Sequence, residues 1–265
     1  ALRPGQTMFF GVPTMYHRLA DAAESDPRVA EGLRAARLLI SGSAGLPVRE
    51  HRRIEAACGR GVLERYGLTE TLINCAVRAD CGPVPGFVGP PRAGSALKRV
   101  AAQRRELDAR DDASLGENAV RGANVFPGYL NRSDATAKVV DADGWFYTGD
   151  LATRTEDGSI RIVGRRATDL IKTGGFKVGA GEVEAAILEH PAVAEVAVVG
   201  VPDDDLGERI VAFVVARELV EGEALTELVA SQLTPHKRPR EVRFVDALPR
   251  NAMGKVMKPR LREPA

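Results

Sequence analysis

The apolar positions of the first seventy residues fall into short runs divided by small and polar residues, the spacing of buried strands alternating with covering helices. Phe9-Phe10-Gly11-Val12 reads as a strand end that passes through Pro13 into a helix over 15–23, since proline suits a helix's first turn or its approach. Arg37-Leu38-Leu39-Ile40 is too short for a helix, and Ser41-Gly42-Ser43-Ala44-Gly45 follows it. Pro47 then opens a helix reaching about Cys58. Gly61-Val62-Leu63 reads as another strand end, leading into Glu64-Arg65-Tyr66-Gly67-Leu68-Thr69-Glu70-Thr71, where Gly67 is expected to turn the chain sharply. Strand, small-residue loop, helix, strand is the order of a parallel sheet with helices on its faces. In such sheets ligands gather outside the carboxyl ends of the strands, so loop 43–45 and the turn after Tyr66 are expected to border one crevice.

The middle is less regular. Gly82, Pro83, Pro85 and Pro90-Pro91 break regular structure, and residues 98–113 are charged and Ala-rich, readable either as helix or as a polar barrel edge. Short strands return over 120–130, punctuated by Gly122 and Gly128-Tyr129. Gly144-Trp145-Phe146-Tyr147-Thr148-Gly149-Asp150 reads as an aromatic strand with a carboxylate at its tip, and Glu156-Asp157-Gly158 as the hairpin turn before a strand over 159–163. Gly164-Arg165-Arg166-Ala167-Thr168-Asp169 is a polar joint between apolar strands, a candidate linker and hinge that divides the chain into 1–164 and 165–265. Beyond it come a hairpin about Gly174-Gly175, helices over 181–190 and 223–233, and strands over 193–201, 210–216 and 241–245. That is a compact α+β unit. It ends in a tail in which Gly254 lets the backbone bend and Lys255 offers a point charge.

Composition narrows the classes. Of 265 residues 44% are hydrophobic and 28% charged, the balance of a water-soluble protein of one large or two modest domains. A net charge of +1 gives no field for a nucleic acid, and no apolar run approaches the roughly 18–20 residues of a membrane span. Cys58, Cys75 and Cys81 are odd in number and lack paired spacing, so they read as free thiols of a reducing cytoplasm rather than as disulfides or a zinc site. The opening Ala-Leu-Arg-Pro-Gly has neither an initiator Met nor a secretion leader and reads as part of something longer.

Several side chains carry chemistry. A hydroxyl at Thr69 can donate to a phosphate oxygen, and a carboxylate beside it at Glu70 can hold a magnesium ion shared with that phosphate. Tyr66 offers a face for a base, Asp150 a carboxylate for two ribose hydroxyls, and Arg65 a guanidinium for a carboxylate. Each also has a plainer reading, as a strand-end turn, a capping Asp or a solvated Arg. His17, on a helix, and His51, in an Arg-rich exposed stretch, read as surface or packing residues.

In this order, the 66–71 stretch, Gly149-Asp150, the 164–172 joint with Gly174-Gly175, and Gly254-Lys255 resemble the adenylate-forming superfamily of acyl-CoA synthetases, luciferases and peptide-synthetase adenylation domains. Phe10-Gly11-Val12-Pro13-Thr14-Met15-Tyr16-His17, the Glu-Arg-Tyr-Gly form of the turn and Ala167-Thr168-Asp169-Leu170-Ile171-Lys172 most resemble malonyl-CoA synthetases. The resemblance implies part of a large adenylation domain (parallel sheet with helices, then a small β-barrel-like part) followed by a small mobile α+β domain. It implies a ligase that joins a dicarboxylic acid such as malonate or methylmalonate to coenzyme A at the expense of ATP, through an acyl-adenylate and AMP. Thr69 would contact phosphate and Glu70 would hold Mg2+. Tyr66, Gly67 and the Ser43-Ala44-Gly45 loop would flank adenine, while Asp150 with Arg165 or Arg166 would hold ribose. Lys255 would steady the carboxylate and α-phosphate. Thr168 would be the hinge, and Lys172 with Gly174-Gly175 would meet coenzyme A. Arg65, with Thr14 and His17, would line the acyl pocket.

Three features depart from the pattern. No Ser/Thr/Gly-rich phosphate-binding loop appears, Gly116-Glu117-Asn118-Ala119 is polar where the family is apolar, and the joint is one residue longer than is common. Two readings follow: a ligase whose N-terminal half lies outside this sequence, or a non-catalytic relative that binds nucleotide or acyl-CoA, or pairs with another chain or with its own copy.

Overall fold

The computed structural model describes residues 7–251 and 256–262. The chain divides into two compact units. One runs up to Thr148 and includes Ala152–Ile162; the other comprises Gly149–Leu151 and the chain from Val163 onward.

The first unit opens with β1 (Met8–Gly11), α1 (Pro13–Ser25), α2 (Pro27–Ala35), β2 (Leu38–Ser41), α3 (Val48–Cys58), β3 (Val62–Leu68) and β4 (Leu72–Ala76). Pro13 and Pro27 open their helices, where a missing N–H costs nothing. The Asp26 carboxylate caps α2 by accepting the Arg28 N–H at 2.9 Å. Gly59, at φ 68°, ends α3 in the left-handed conformation that glycine adopts without strain. Tyr16, Ala20, Leu33, Leu39, Ile54 and Val62 bury the faces of these elements in one cluster. The four strands stand in the order β1-β2-β3-β4, the first three parallel and β4 antiparallel to β3.

A five-stranded sheet follows, ordered β6-β5-β7-β8-β9. Its strands are β5 (Ser95–Val100), β6 (Glu106–Leu107), β7 (Gly116–Gly122), β8 (Phe146–Arg154) and β9 (Ile160–Arg165), with α4 (Ser133–Val139) between β7 and β8. Over residues 98–113 the chain forms no α-helix: it takes a polar edge of this open sheet, β5 and the two-residue β6 joined by a single helical turn at Ala102–Arg104. Arg99 is buried there, its guanidinium donating to the Ser114 carbonyl at 2.5 Å and to that of Ala109.

The second unit contains β10 (Leu170–Thr173), β11 (Phe176–Gly179), α5 (Ala180–Leu188), β12 (Val193–Asp203), β13 (Gly207–Ala216), α6 (Gly222–Gln232) and β14 (Glu241–Phe244). The sheet order is β11-β10-β13-β12, with β14 parallel to β13. Alternation along β12 and β13 gives the sheet two apolar faces. Val198, Ile210, Ala212 and Val214 pack with Val183 and Ile187 of α5 and Leu225 and Val229 of α6. Ala197, Val199, Val211 and Phe213 pack with Leu248 and Leu261.

All three cysteines are free, Cys58 and Cys75 buried and Cys81 exposed; burial pushes the Cys75 thiol up to about 12. No helix among the described residues is long and apolar enough to cross a membrane.

Candidate nucleotide and acyl site

The parallel register fixes one edge of the first unit. Gly11 of β1 lies opposite Ser41 of β2, and Ser41 opposite Glu64 of β3. The segments that leave these positions, Val12 to Thr14, Gly42 to Gly45 and Arg65 to Thr71, therefore emerge on the same side. Thr14 is exposed in the first turn of α1, and Ser43, Ala44 and Gly45 are all exposed. Ser43 has a φ of 73°, uncommon for a residue with a side chain.

The chain from Glu64 to Leu68 departs from its expected form. Gly67 does not turn the chain: β3 continues through it, and the reversal comes at Thr69-Glu70 before β4. A side chain at Gly67 would stand 1.8 Å from the Leu72 carbonyl oxygen, so glycine is needed for close strand approach rather than for a turn. Tyr66 is not an open platform. Only 8% of it is exposed, and it clusters with Cys75, Val88 and Ile160.

Thr69 is exposed and Glu70 half-buried at the reversal. A following segment ties this turn in place. The Phe126 N–H donates to the Glu70 carbonyl at 2.7 Å, the Tyr129 hydroxyl to Glu70 Oε1 at 2.9 Å, and the Asn124 amide to the Thr71 carbonyl at 2.7 Å. Rings of Phe126, Tyr129 and Phe146 meet edge to face behind it. A threonine hydroxyl and a carboxylate are thus presented together on a braced turn.

Arg65 is half-buried, its guanidinium over the Phe10 ring at 4.9 Å and against Gly42, where an added Cβ would lie 3.2 Å from Nε. Among the described residues no carboxylate pairs with it. His17 is engaged elsewhere: its ring nitrogens stand 3.4 Å from Glu50 and 3.7 Å from Asp21, an acidic setting that disfavours a substrate carboxylate. His51 is not exposed, contrary to its Arg-rich surroundings. It is 2% exposed, and Nε2 lies 2.9 Å from Glu64 Oε1.

In the second unit Asp150 lies within β8, not at a strand tip, because the strand runs on to Arg154. Its carboxylate is nearly buried and pairs at 2.8 Å with Nε of Arg165, whose side chain is 56% exposed. The Arg166 N–H donates to the Gly149 carbonyl at 2.8 Å.

The joint itself is held by Asp169, whose carboxylate accepts the Arg165 N–H at 2.7 Å and the Thr168 hydroxyl at 3.2 Å. Lys258 Nζ bonds Asp169 at 2.5 Å and Glu184 at 2.7 Å, while Arg262 donates to the Thr168 carbonyl at 2.9 Å. Burial alone would lower the Lys258 pKa, but the two carboxylates outweigh it and raise it; burial raises that of Glu184 despite the lysine. Lys172 and Gly174-Gly175 are exposed at the β10–β11 hairpin, both glycines at positive φ. Lys255 lies outside the described residues.

Sequence patterns match this arrangement to a known family. The AMP-binding enzyme family matches residues 3–130, and the AMP-binding enzyme C-terminal domain matches residues 182–255. The chain belongs to the AMP-binding enzymes. Among curated relatives of this family, a malonate–CoA ligase of Arabidopsis thaliana is 36% identical over 97% of this chain and 44% of its own length. The ATP-bound structure of MatB from Rhodopseudomonas palustris is 41% identical, covers 97% of this chain and 50% of that one, and superposes with a TM-score of 0.85. A malonyl-CoA ligase ternary product complex with methylmalonyl-CoA and AMP is 57% identical over 92% of this chain and 53% of that one, TM-score 0.58. The chain spans about half the length of the relatives it matches.

Four residues of this family member were not foreseen from the sequence: Glu64 and His51 beneath the first edge, Tyr129 on Glu70, and Lys258 at the joint. Tyr129 carried a signal in its Gly-Tyr pair. The others are charged or titratable residues in charged surroundings, and only the fold reveals their burial.

Proposed function

We propose that this chain is part of an acid–thiol ligase that forms malonyl-CoA, or methylmalonyl-CoA, from the dicarboxylate, ATP and coenzyme A, acting in a reducing cytoplasm. The half-buried Arg65, without a carboxylate partner among the described residues, carries this reading. A dicarboxylate keeps one free carboxylate after the other is activated, and a buried charge needs a partner. Arg65 would supply it bidentately, at the edge shared with the exposed 43–45 loop and the Thr69-Glu70 turn. Thr14 would border the same space.

In the first step a carboxylate oxygen of the acid attacks the α-phosphorus of ATP, forming the acyl-adenylate and releasing pyrophosphate. Thr69 would donate to phosphate, the 43–45 loop and Gly67 would border adenine with Tyr66 packed behind them, and Asp150 with Arg165 would hold ribose; Arg166 is the second candidate. Glu70 fits a magnesium ion: Tyr129 takes one carboxylate oxygen, the other is left for the cation, and magnesium commonly takes one or two carboxylates with phosphate and water as its remaining ligands. Bound there, the ion would neutralise charge on the phosphates. Lys255 would bring a positive charge to the α-phosphate and the attacking carboxylate. In the second step the coenzyme A thiol attacks the acyl carbon and AMP leaves. The joint 164–169, with Thr168 as hinge between 1–164 and 165–265, would let Lys172 and the Gly174-Gly175 hairpin serve this step.

The test is AMP release by the purified chain with ATP, magnesium, coenzyme A and malonate, against acetate and octanoate. Malonate-dependent AMP and malonyl-CoA are expected. Release that is equal for all three acids, or absent while ATP still binds, would refute the proposed activity for this chain.

A further inference from the structure

Glu64 lies beneath the exposed 43–45 loop, 3% exposed, and takes no part in the chemistry proposed above. Its carboxylate receives three donors from separate parts of the first unit. The Leu46 N–H reaches Oε2 at 2.9 Å, His51 Nε2 reaches Oε1 at 2.9 Å, and the Gly86 N–H reaches Oε1 at 3.3 Å. A buried carboxylate persists only where such donors replace water, and hydrogen bonds to a charged group are among the strong ones. The Leu46 contact has a particular consequence, because Leu46 is the residue at which the exposed loop returns to the core.

Between the two ends of that loop the backbone is strained. On the upstream side the Gly42 N–H is held by the Gly11 carbonyl at 3.3 Å; on the downstream side Leu46 is held by Glu64. Ser43, between these anchors, sits at a φ of 73°. Such a conformation costs free energy and lasts only where its surroundings over-determine it. Few other restraints are available, since the side chains at 43, 44 and 45 are exposed and an added Cβ at Gly45 would touch nothing. Downstream, the Leu46 side chain is buried in the apolar cluster, and its N–H is fixed by the carboxylate of Glu64, itself steadied from α3 by His51.

We infer that Glu64 is a positioning residue that sets base selectivity. By fixing the Leu46 N–H it holds the 43–45 loop in the one strained shape that fits adenine and rejects other purines. The inference rests on the nucleotide role proposed for that loop. A loop that merely covered the sheet would have no need of its strained shape, and loosening it would change stability without changing which base is preferred.

The experiment is equilibrium dialysis of the full chain with ATP and with GTP, which needs no turnover. Wild type is compared with Glu64→Gln, which removes the charge while keeping the shape, and with Ser43→Val, whose β-branched side chain makes the positive φ far more costly at an exposed position. Thermal unfolding monitors the fold of each protein. The expected result is an ATP-over-GTP preference in wild type that falls about tenfold in Glu64→Gln, the size expected for a weakened charge-assisted hydrogen bond. The preference falls in Ser43→Val as well. An unchanged ATP-to-GTP ratio in a folded Glu64→Gln would overturn the inference; should that variant not fold, an unchanged ratio in Ser43→Val does so. Wild type that binds neither nucleotide would remove the nucleotide reading and this inference together, whereas wild type that binds both without preference overturns the inference alone.

Discussion

Arg65 is the side chain on which the proposed choice of substrate class turns. Its neighbour along the chain, Glu64, spends its charge inside the protein on Leu46, His51 and Gly86, while Arg65 is stacked on Phe10 with no carboxylate partner among the described residues. Alternation along β3 puts these two neighbours on opposite faces, one inward and one toward the edge. Arg65→Ala is therefore expected to lower kcat/KM for malonate roughly 30- to 100-fold, the equivalent of about 2–3 kcal/mol for a lost charge-assisted bond, with little change for acetate. Kinetics of AMP release with the two acids checks it, and an equal loss for both would place Arg65 in the scaffold instead. At this scale the sequence was partly legible. Thr69 and Glu70 stand out because two polar side chains follow an apolar strand, and the turn they form is real. Glu64 and His51 were opaque: carboxylates and imidazoles in a string of charges read as solvated, and only long-range packing, thirteen residues apart for this pair, takes them out of water.

Among the elements, the β3–β4 hairpin shows how a correct motif can be misread locally. Gly67 suggested a sharp turn because glycine so often supplies positive φ. Its actual task is to leave room for the Leu72 carbonyl as two antiparallel strands close with a register shift between Tyr66 and Gly67. Conformational freedom and small size are separate properties of glycine, and the sequence alone does not say which one is in use. The distinction has a measurable consequence. Gly67→Ala would force the strands apart at backbone, which cannot swing aside as a side chain can, so a loss of about 1–3 kcal/mol of stability is expected. A urea midpoint unchanged from wild type would contradict it. The Thr69-Glu70 turn would be displaced as well, and nucleotide affinity should fall with stability. Elements with strong apolar periods, such as β2, α3, β12 and β13, were legible from pattern. Helices α2 and α4 were not anticipated: α2 buries little beyond Ala30 and Leu33, and α4 buries none of its residues. Short amphipathic helices of alanine and charge give a weak apolar stripe, and their existence depends on what they cover.

The second unit carries a consequence for the whole molecule. Its sheet is covered on one face by α5 and α6 and on the other by Leu248 and Leu261, so both faces of β12 and β13 are buried by residues of this unit alone. Its charged interior is likewise paired from within, Lys258 meeting both Asp169 and Glu184. A unit that closes its own core and pairs its half-buried charges from within has what independent folding requires. Residues 163–262 expressed alone are therefore expected to form a monomeric, cooperatively unfolding domain, with protected amides in β12 and β13 detected by hydrogen exchange. Lys258→Met in the same segment leaves two half-buried carboxylates without their cation, and about 1–3 kcal/mol of stability should be lost. Replacing the lysine together with Glu184 by Met removes one of those charges with it and should recover part of that loss. If the isolated segment exchanges all its amides rapidly, the second unit depends on the rest of the chain for its fold. If instead it folds and Lys258→Met is harmless, the ion pairs at the joint contribute nothing net. The combination of a folded segment, a damaged single variant and a partly restored double variant is the outcome this core and this charge arrangement demand.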